Sequence, residues 1–283
     1  MITRVSGKTK EVLIGDGRPT VLIGERINPA GKKKLAEALR TGNLDLVREE
    51  AQRQVAAGAD IIDVAVGTFG VDEVALLPRV VKLLQEAVEA PLCLDSHNVA
   101  ALEGALKVYS GKALVNSVTG EEQSLREVLP LVGRFGAAVV GLLQSDEGIP
   151  KTPDQRLAVA RKIVERAEAA GVSRDNIVID CLALAVGADA TSGQTTLETI
   201  RRVRQELGVN ITLGASNVSF GMPDREPINN AYVAMVLAAG ATCLIVDVGK
   251  IRPAILAADM VLGRDERARR YIGAYRQRAR EKQ

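Results

Sequence analysis

Short apolar runs alternate with helix-patterned segments eight times along this chain, which few folds can accommodate. The runs are Val21–Glu25, Asp60–Val66, Leu92–Asp95, Ala113–Asn116, Ala138–Leu143, Asn176–Asp180, Ile211–Gly214 and Thr242–Val246. Strands that are apolar throughout and bounded by polar residues belong to a parallel sheet covered on both faces. The intervening segments carry helical spacing, as in Leu46, Val47, Ala51, Val55 and Ala56, or Leu157, Ala160, Ile163, Val164 and Ala167. Gly58, Gly171 and Gly240 stand after helices and before strands, where a left-handed residue stops a helix. Eight units without a break in composition predict one closed (β/α)8 TIM barrel domain over 1–283. An open doubly wound sheet is the alternative, but no dinucleotide-binding glycine fingerprint or P-loop follows a strand.

The two ends differ from this pattern. Val5 to Leu22 reads as strand, turn and strand, with the turn at Gly15-Asp16-Gly17-Arg18-Pro19. Residues 1–20 are therefore predicted to form a hairpin covering the N-terminal mouth of the barrel, which leaves the other mouth for function. From Arg264 to Lys282 eight Lys/Arg stand against three acids, predicting a basic C-terminal helix over 264–283. It reads as a solvated helix end, with a docking surface for an acidic protein as the alternative.

A net charge of +2 gives no global field for nucleic acid or a membrane surface, and neither is expected as a partner. Cys93, Cys181 and Cys243 each lie in or at the end of an apolar run, none forms a CxxC pair, and His97 is the one histidine. Neither a disulfide framework nor a zinc site is expected, and no metal is assigned. Without a signal peptide or an apolar run of about 18 residues, the expected location is the cytoplasm.

Polar residues recur where the strands end. The first run finishes in Gly24-Glu25-Arg26-Ile27-Asn28-Pro29, and the second contains Asp60 and Asp63. Later runs finish at Asp95, Asn116, Asp180, Asn217 and Asp247. In a barrel this places their side chains around one mouth. Any one of them is a plausible helix N-cap. Together they form a ring of carboxylates and amides that is costly to bury unless a ligand satisfies it. Such a ring suits a neutral heterocycle rich in N–H donors, since a carboxylate takes two parallel N–H bonds from an amino-pyrimidine edge. It suits phosphate poorly. Magnesium on Asp95 and Asp180 is the rival.

These motifs, from about Val12 to Leu262, resemble the pterin-binding methyltransferases: the methyltetrahydrofolate:corrinoid methyltransferases and the folate module of cobalamin-dependent methionine synthase. The resemblance rests on Gly24-Glu25-Arg26-Ile27-Asn28, Leu94-Asp95-Ser96, Val115-Asn116-Ser117, Ile177-Val178-Ile179-Asp180 and Ser216-Asn217-Val218-Ser219-Phe220. It implies that Asp95, Asn116 and Asp180 hold the pterin ring and that Asn217 approaches pterin N5 as the catalytic residue. Glu25 and Asn28 would shape the pocket. Arg26 is expected to pair with Asp60 or Asp63 inside the barrel. The implied substrate is tetrahydrofolate or 5-methyltetrahydrofolate, with cobalamin or another corrinoid carried by a partner protein, and the implied assembly is a homodimer. The chain has no Asp-x-His-x-x-Gly cobalt-ligand sequence, since its histidine lies in Asp95-Ser96-His97-Asn98.

Three departures from the resembled pattern stand out. Ala65 occupies a position where Asn is common, so one pocket hydrogen bond is expected to be missing or supplied by water. Cys181 replaces a common Pro after Asp180, and His97 is expected as a loop residue touching solvent. Two further readings stay open. Dihydropteroate synthase uses a similar pocket, but Thr68-Phe69-Gly70 stands where its Ser-Thr-Arg-Pro loop would be, and Ser216-Asn217 where it would carry Lys. A non-catalytic folate-binding subunit is the other.

Overall fold

The computed structural model describes residues 1–281, so Lys282 and Gln283, the end of the predicted C-terminal helix, lie outside the described residues. The strands are β1 (Ile2–Ser6), β2 (Glu11–Gly15), β3 (Val21–Ile27), β4 (Ile61–Ala65), β5 (Leu92–Asp95), β6 (Leu114–Thr119), β7 (Ala138–Leu142), β8 (Ile177–Asp180), β9 (Asn210–Thr212) and β10 (Cys243–Val246). The helices are α1 (Lys33–Thr41), α2 (Asp45–Ala56), α3 (Glu73–Ala87), α4 (Val99–Val108), α5 (Glu122–Phe135), α6 (Pro153–Ala169), α7 (Ser192–Leu207), α8 (Arg225–Ala239), α9 (Val248–Val261) and α10 (Arg269–Glu281). Strands β3 to β10 form one parallel sheet in the order β10-β3-β4-β5-β6-β7-β8-β9. The seam between β9 and β10 is closed by a Gly214–Ile245 bridge and by Ile245 N–H donating to Leu213 O at 3.1 Å. The predicted TIM barrel is the observed one.

Alternation along each strand explains the two cores. Leu22, Ile62, Leu94, Val115, Val139, Ile179 and Val246 face outward under the helices. Val21, Ile23, Ile61, Cys93, Leu114, Ala138, Val140, Val178, Cys243 and Ile245 fill the interior. Fully burying one such branched side chain is worth about 1.5–3 kcal/mol, so the repeated pattern drives closure. Local signals set the helix ends. Thr152 and Gln155 form a capping box at the start of α6, with Pro153 in its first turn. Gly58, Gly171 and Gly240 all have positive φ, as expected of helix stops.

The hairpin is present but pairs one turn earlier than the sequence suggests. β1 and β2 are antiparallel, with Val5 opposite Val12, and the turn lies between Ser6 and Glu11. The Gly15–Pro19 segment instead links β2 to the first barrel strand. The Val21 run fills the barrel interior on one face and packs under helices on the other, so it joins the parallel sheet. Val5, Val12 and Ile14 pack on the interior core. Asn210 Nδ2 ties the hairpin down, donating to Thr3 Oγ1 at 2.9 Å and to Ile14 O at 3.0 Å. The hairpin thus seals the end from which the strands start. At the other terminus, Arg267 and Ala268 have positive φ, so α10 begins at Arg269 rather than at 264.

Candidate functional site

Toward the strand C-termini the interior positions change from apolar to polar. Continuing the alternation from the interior core puts Glu25 on β3, Asp63 and Ala65 on β4, Asp95 on β5, Asn116 on β6 and Asp180 on β8 at this end. Pairing confirms the neighbourhood, because Ala65 registers with Asp95 and Asp95 with Asn116. These members of the sequence ring therefore share one end of the barrel, which Asp60 does not.

Asp63, which the sequence reading did not assign to the site, belongs to it. Asn116 Nδ2 donates to Asp63 Oδ1 at 3.1 Å. Asp63 is 3% exposed. Burial pushes its carboxyl well above the usual range, the charge of Asp95 adds to this, and the Asn116 hydrogen bond opposes it. Burial also lifts Asp95 to about 6, with His97 opposing and Glu73 adding. Two acids this close ionise as a pair. Ala65 offers only a methyl group beside them, so the hydrogen bond expected to be missing there has no protein donor at that position.

Asp180 is buried, and burial lifts it to about 6. Its Oδ1 accepts from Leu182 N–H at 2.8 Å. The loop that follows is held by Arg156, a fully buried residue of α6. Arg156 donates to Cys181 O at 3.0 Å, Leu182 O at 3.1 Å, Thr196 Oγ1 at 3.2 Å and Pro150 O at 3.1 Å. This fixes Leu182 at a positive φ of 58°. Arg156 escaped the sequence reading, although its spacing to Ala160, Ile163 and Ala167 places it on the buried helix face.

Asn217 sits in a short 3-10 turn, Ala215–Ser219, after β9, anchored by its N–H to Gly214 O at 3.1 Å. Together with Glu25, Arg26, Ser216 and Asp247 it walls a cavity of about 560 Å³. Asp95, Asn116 and Asp180 are not walls of this cavity. They lie on strands further round the barrel, where the charge of Glu25 is only a minor influence on Asp63. Asn28 stays outside the cavity; its side chain accepts from Ala30 N–H at 3.0 Å and shapes the turn after β3. His97 is exposed beside Asp95.

Arg26 does not pair with Asp60 or Asp63. It lies 3.6 Å from Glu50 and 3.7 Å from Asp247. Two facts explain this. Arg26 follows the inward-facing Glu25 at a bulge between Gly24 and Ile27, and its guanidinium runs out to the mouth, toward Glu50 and Asp247. Asp60 lies at the opposite end of β4, accepting from Leu22 N–H at 2.9 Å. At the bulge Gln54 Oε1 substitutes for the lost ladder, accepting from Arg26 N–H at 2.9 Å. A Cβ at position 24 would come within 2.4 Å of that oxygen, so any larger residue would displace the Gln54 amide from this bond.

Among the described residues no group of three His, Cys, Asp or Glu is arranged to hold a metal ion. No helix among them is long and apolar enough to cross a membrane.

A family model described as pterin binding enzyme matches residues 24–247. A methylcorrinoid:tetrahydrofolate methyltransferase of Eubacterium limosum is 31% identical over 267 residues, covering 91% of this chain and 96% of that protein. A methionine synthase of Mycobacterium tuberculosis is 31% identical over 246 residues, which cover 82% of this chain but 21% of that much longer protein. A Yersinia pestis dihydropteroate synthase, solved with a pterine-sulfa conjugate, superimposes with a TM-score of 0.71 over 92% of this chain and 99% of its own. At 18% identity that likeness speaks for the fold alone.

Proposed function

This chain belongs to the pterin-binding enzyme family, and we propose that it moves a methyl group between N5 of tetrahydrofolate and the cobalt of a corrinoid carried on a partner protein. The observation that carries this reading is the arrangement at the barrel mouth. Asp95, Asn116 and Asp180 form an acceptor-rich ring suited to an amino-pyrimidine edge, and Asn217 stands apart from them on the wall of the adjoining cavity. Asp63 orients Asn116 by accepting from its amide.

The roles follow from the chemistry. N5 is a poor leaving group until it gains positive character. A hydrogen bond from Asn217 that strengthens as N5 is protonated lowers the barrel-bound transition state more than the ground state. The corrinoid, when bound, supplies the nucleophilic metal, so no Ser, Cys or Lys nucleophile is needed. Phe69, 96% exposed after β4, and Phe220, 69% exposed after β9, fit the approach of a flat macrocycle. A homodimer, proposed by resemblance, is read by sedimentation, and we place the protein in the cytoplasm on its sequence pattern.

A dihydropteroate-synthase-like condensation fits less well. The cavity carries Arg26, Arg225 and Lys250 against Glu25, Asp224, Glu226 and Asp247, so acids outnumber bases where a pyrophosphate would need positive charge.

Mixing the protein with cobalt(I) cobalamin and methyltetrahydrofolate should convert the cobalt spectrum to that of methylcobalamin. Asn217→Ala should slow the transfer roughly 100-fold or more with folate affinity largely kept. Asp95→Asn should weaken folate binding itself by roughly 10- to 100-fold. Folate binding indifferent to Asp95 would remove the pterin assignment.

A further inference from the structure

Glu25 is the one group in the cavity whose setting suits it to carry a proton. Its carboxyl is half-buried and receives a single side-chain hydrogen bond among the described residues, from Ser216 Oγ to Oε1 at 3.4 Å. Ser216 immediately precedes Asn217, and both residues and Glu25 line the same cavity. The other acids there are differently placed. Asp247 is committed to Arg26 at 3.7 Å and Lys250 at 3.6 Å. Asp224 and Glu226 are exposed at the start of α8.

Several charged groups face Glu25. Asp247 at the end of β10 opposes its ionisation, while Lys32 ahead of α1, the Ser216 hydrogen bond and Arg26 favour it; the charge of Glu25 in turn raises the carboxyl of Asp63 on β4. Lys32 Nζ is bound to the backbone, at 3.4 Å from Glu25 O and 3.1 Å from Arg26 O, and not to the carboxyl. Burial is the largest influence and, with Asp247, raises the Glu25 carboxyl above its ordinary value. A carboxylic acid whose surroundings favour its protonated form can serve as a general acid.

We propose that Glu25 is the proton donor to pterin N5, acting beside Asn217, an assignment that rests on the methyl-transfer reading above. In the demethylating direction the Glu25 O–H gives its proton to the N5 lone pair. The N5–methyl bond then breaks, the methyl group passes to the cobalt of the co-substrate, and N5 keeps the bonding pair together with the proton. Solvent reprotonates the carboxylate through the open cavity. In the opposite direction the Glu25 carboxylate accepts the N5 proton as N5 takes the methyl group. Asn217 then fixes the geometry of the N5 hydrogen bond while Glu25 supplies what moves along it.

The test is single-turnover transfer between methyltetrahydrofolate and cobalt(I) cobalamin from pH 5 to 8, for the wild type, Glu25→Gln and Glu25→Asp. Folate affinity is measured in parallel by calorimetry, and folding by thermal melting. The wild-type rate should rise as pH falls. Glu25→Gln should lower the rate roughly 100-fold, flatten its pH dependence and leave folate affinity within a few-fold. Glu25→Asp, which keeps an acid, should retain a pH-dependent rate. A folded Glu25→Gln protein with the wild-type rate and pH profile overturns the assignment while leaving the methyl-transfer reading intact. A wild-type protein that neither binds folate nor transfers methyl removes that reading, and this assignment with it.

Discussion

At the scale of single residues, the site holds carboxyls in places that disfavour charge. Asp180 titrates near 6 in the folded protein instead of near 3.8. The folded state therefore binds this proton more tightly than the unfolded chain does. Between about pH 4 and 6 it holds more protons, so the ligand-free protein should lose stability as pH rises through that window and level off above it. A shift of about two units corresponds to about 3 kcal/mol for a group this buried. Asp180→Asn should therefore make the ligand-free protein more stable at pH 7 to 8 by up to about that amount, with little gain at pH 4. Urea midpoints across pH would show it, and equal midpoints at pH 8 would count against burial as the cause. On the proposed function the same variant should bind folate poorly, because the ionised carboxylate would be the acceptor for the pterin edge. Function here is obtained against stability, a common feature of sites built from buried charge.

At the scale of elements, the sequence reveals some features more readily than others. All eight barrel strands are readable because burial on both faces leaves unbroken apolar runs, and the run ends mark Asp95, Asn116 and Asp180 as residues of the polar end. Asp63 was visible but unassigned, since a lone acid inside a strand does not disclose which neighbour it bonds. Arg156 was hidden because an arginine on a helix normally reads as solvated, and only the carbonyls of a distant loop explain its burial. The hairpin was displaced by one turn because Gly15, Gly17 and Pro19 are stronger turn signals than the Gly7-Lys8-Thr9-Lys10 segment that makes the reversal. Two substitutions should separate the two ends of the barrel. Ile14→Ala removes a fully buried side chain from the hairpin and should cost about 2–5 kcal/mol in unfolding without changing folate affinity. Arg156→Ala leaves the carbonyls of Cys181 and Pro150 without this donor, while Leu182 O keeps only Thr196 Oγ1, and should lower both stability and folate affinity, since Asp180 is braced by the same loop. If calorimetry found Arg156→Ala binding folate normally, the brace would be structural only.

At the scale of the whole molecule, an apolar interior with one polar end defines a barrel with a single working face. Among the described residues no cluster of three potential ligands could hold a metal, so prolonged treatment with a chelator should leave folate affinity unchanged; a marked loss would restore magnesium to the acidic ring. The sealed floor also bears on how the protein can be handled. Met1 is exposed, and Ile2 shares a surface hollow with Arg264 and Arg269, all at the hairpin end. A surface tether, fluorophore or carrier domain spliced ahead of Met1 emerges on the side away from the mouth. An immobilised sensor for reduced folates could therefore be anchored by its leading end with its receptor face free, whereas grafts into the loops bearing Phe69 or Phe220 would obstruct it.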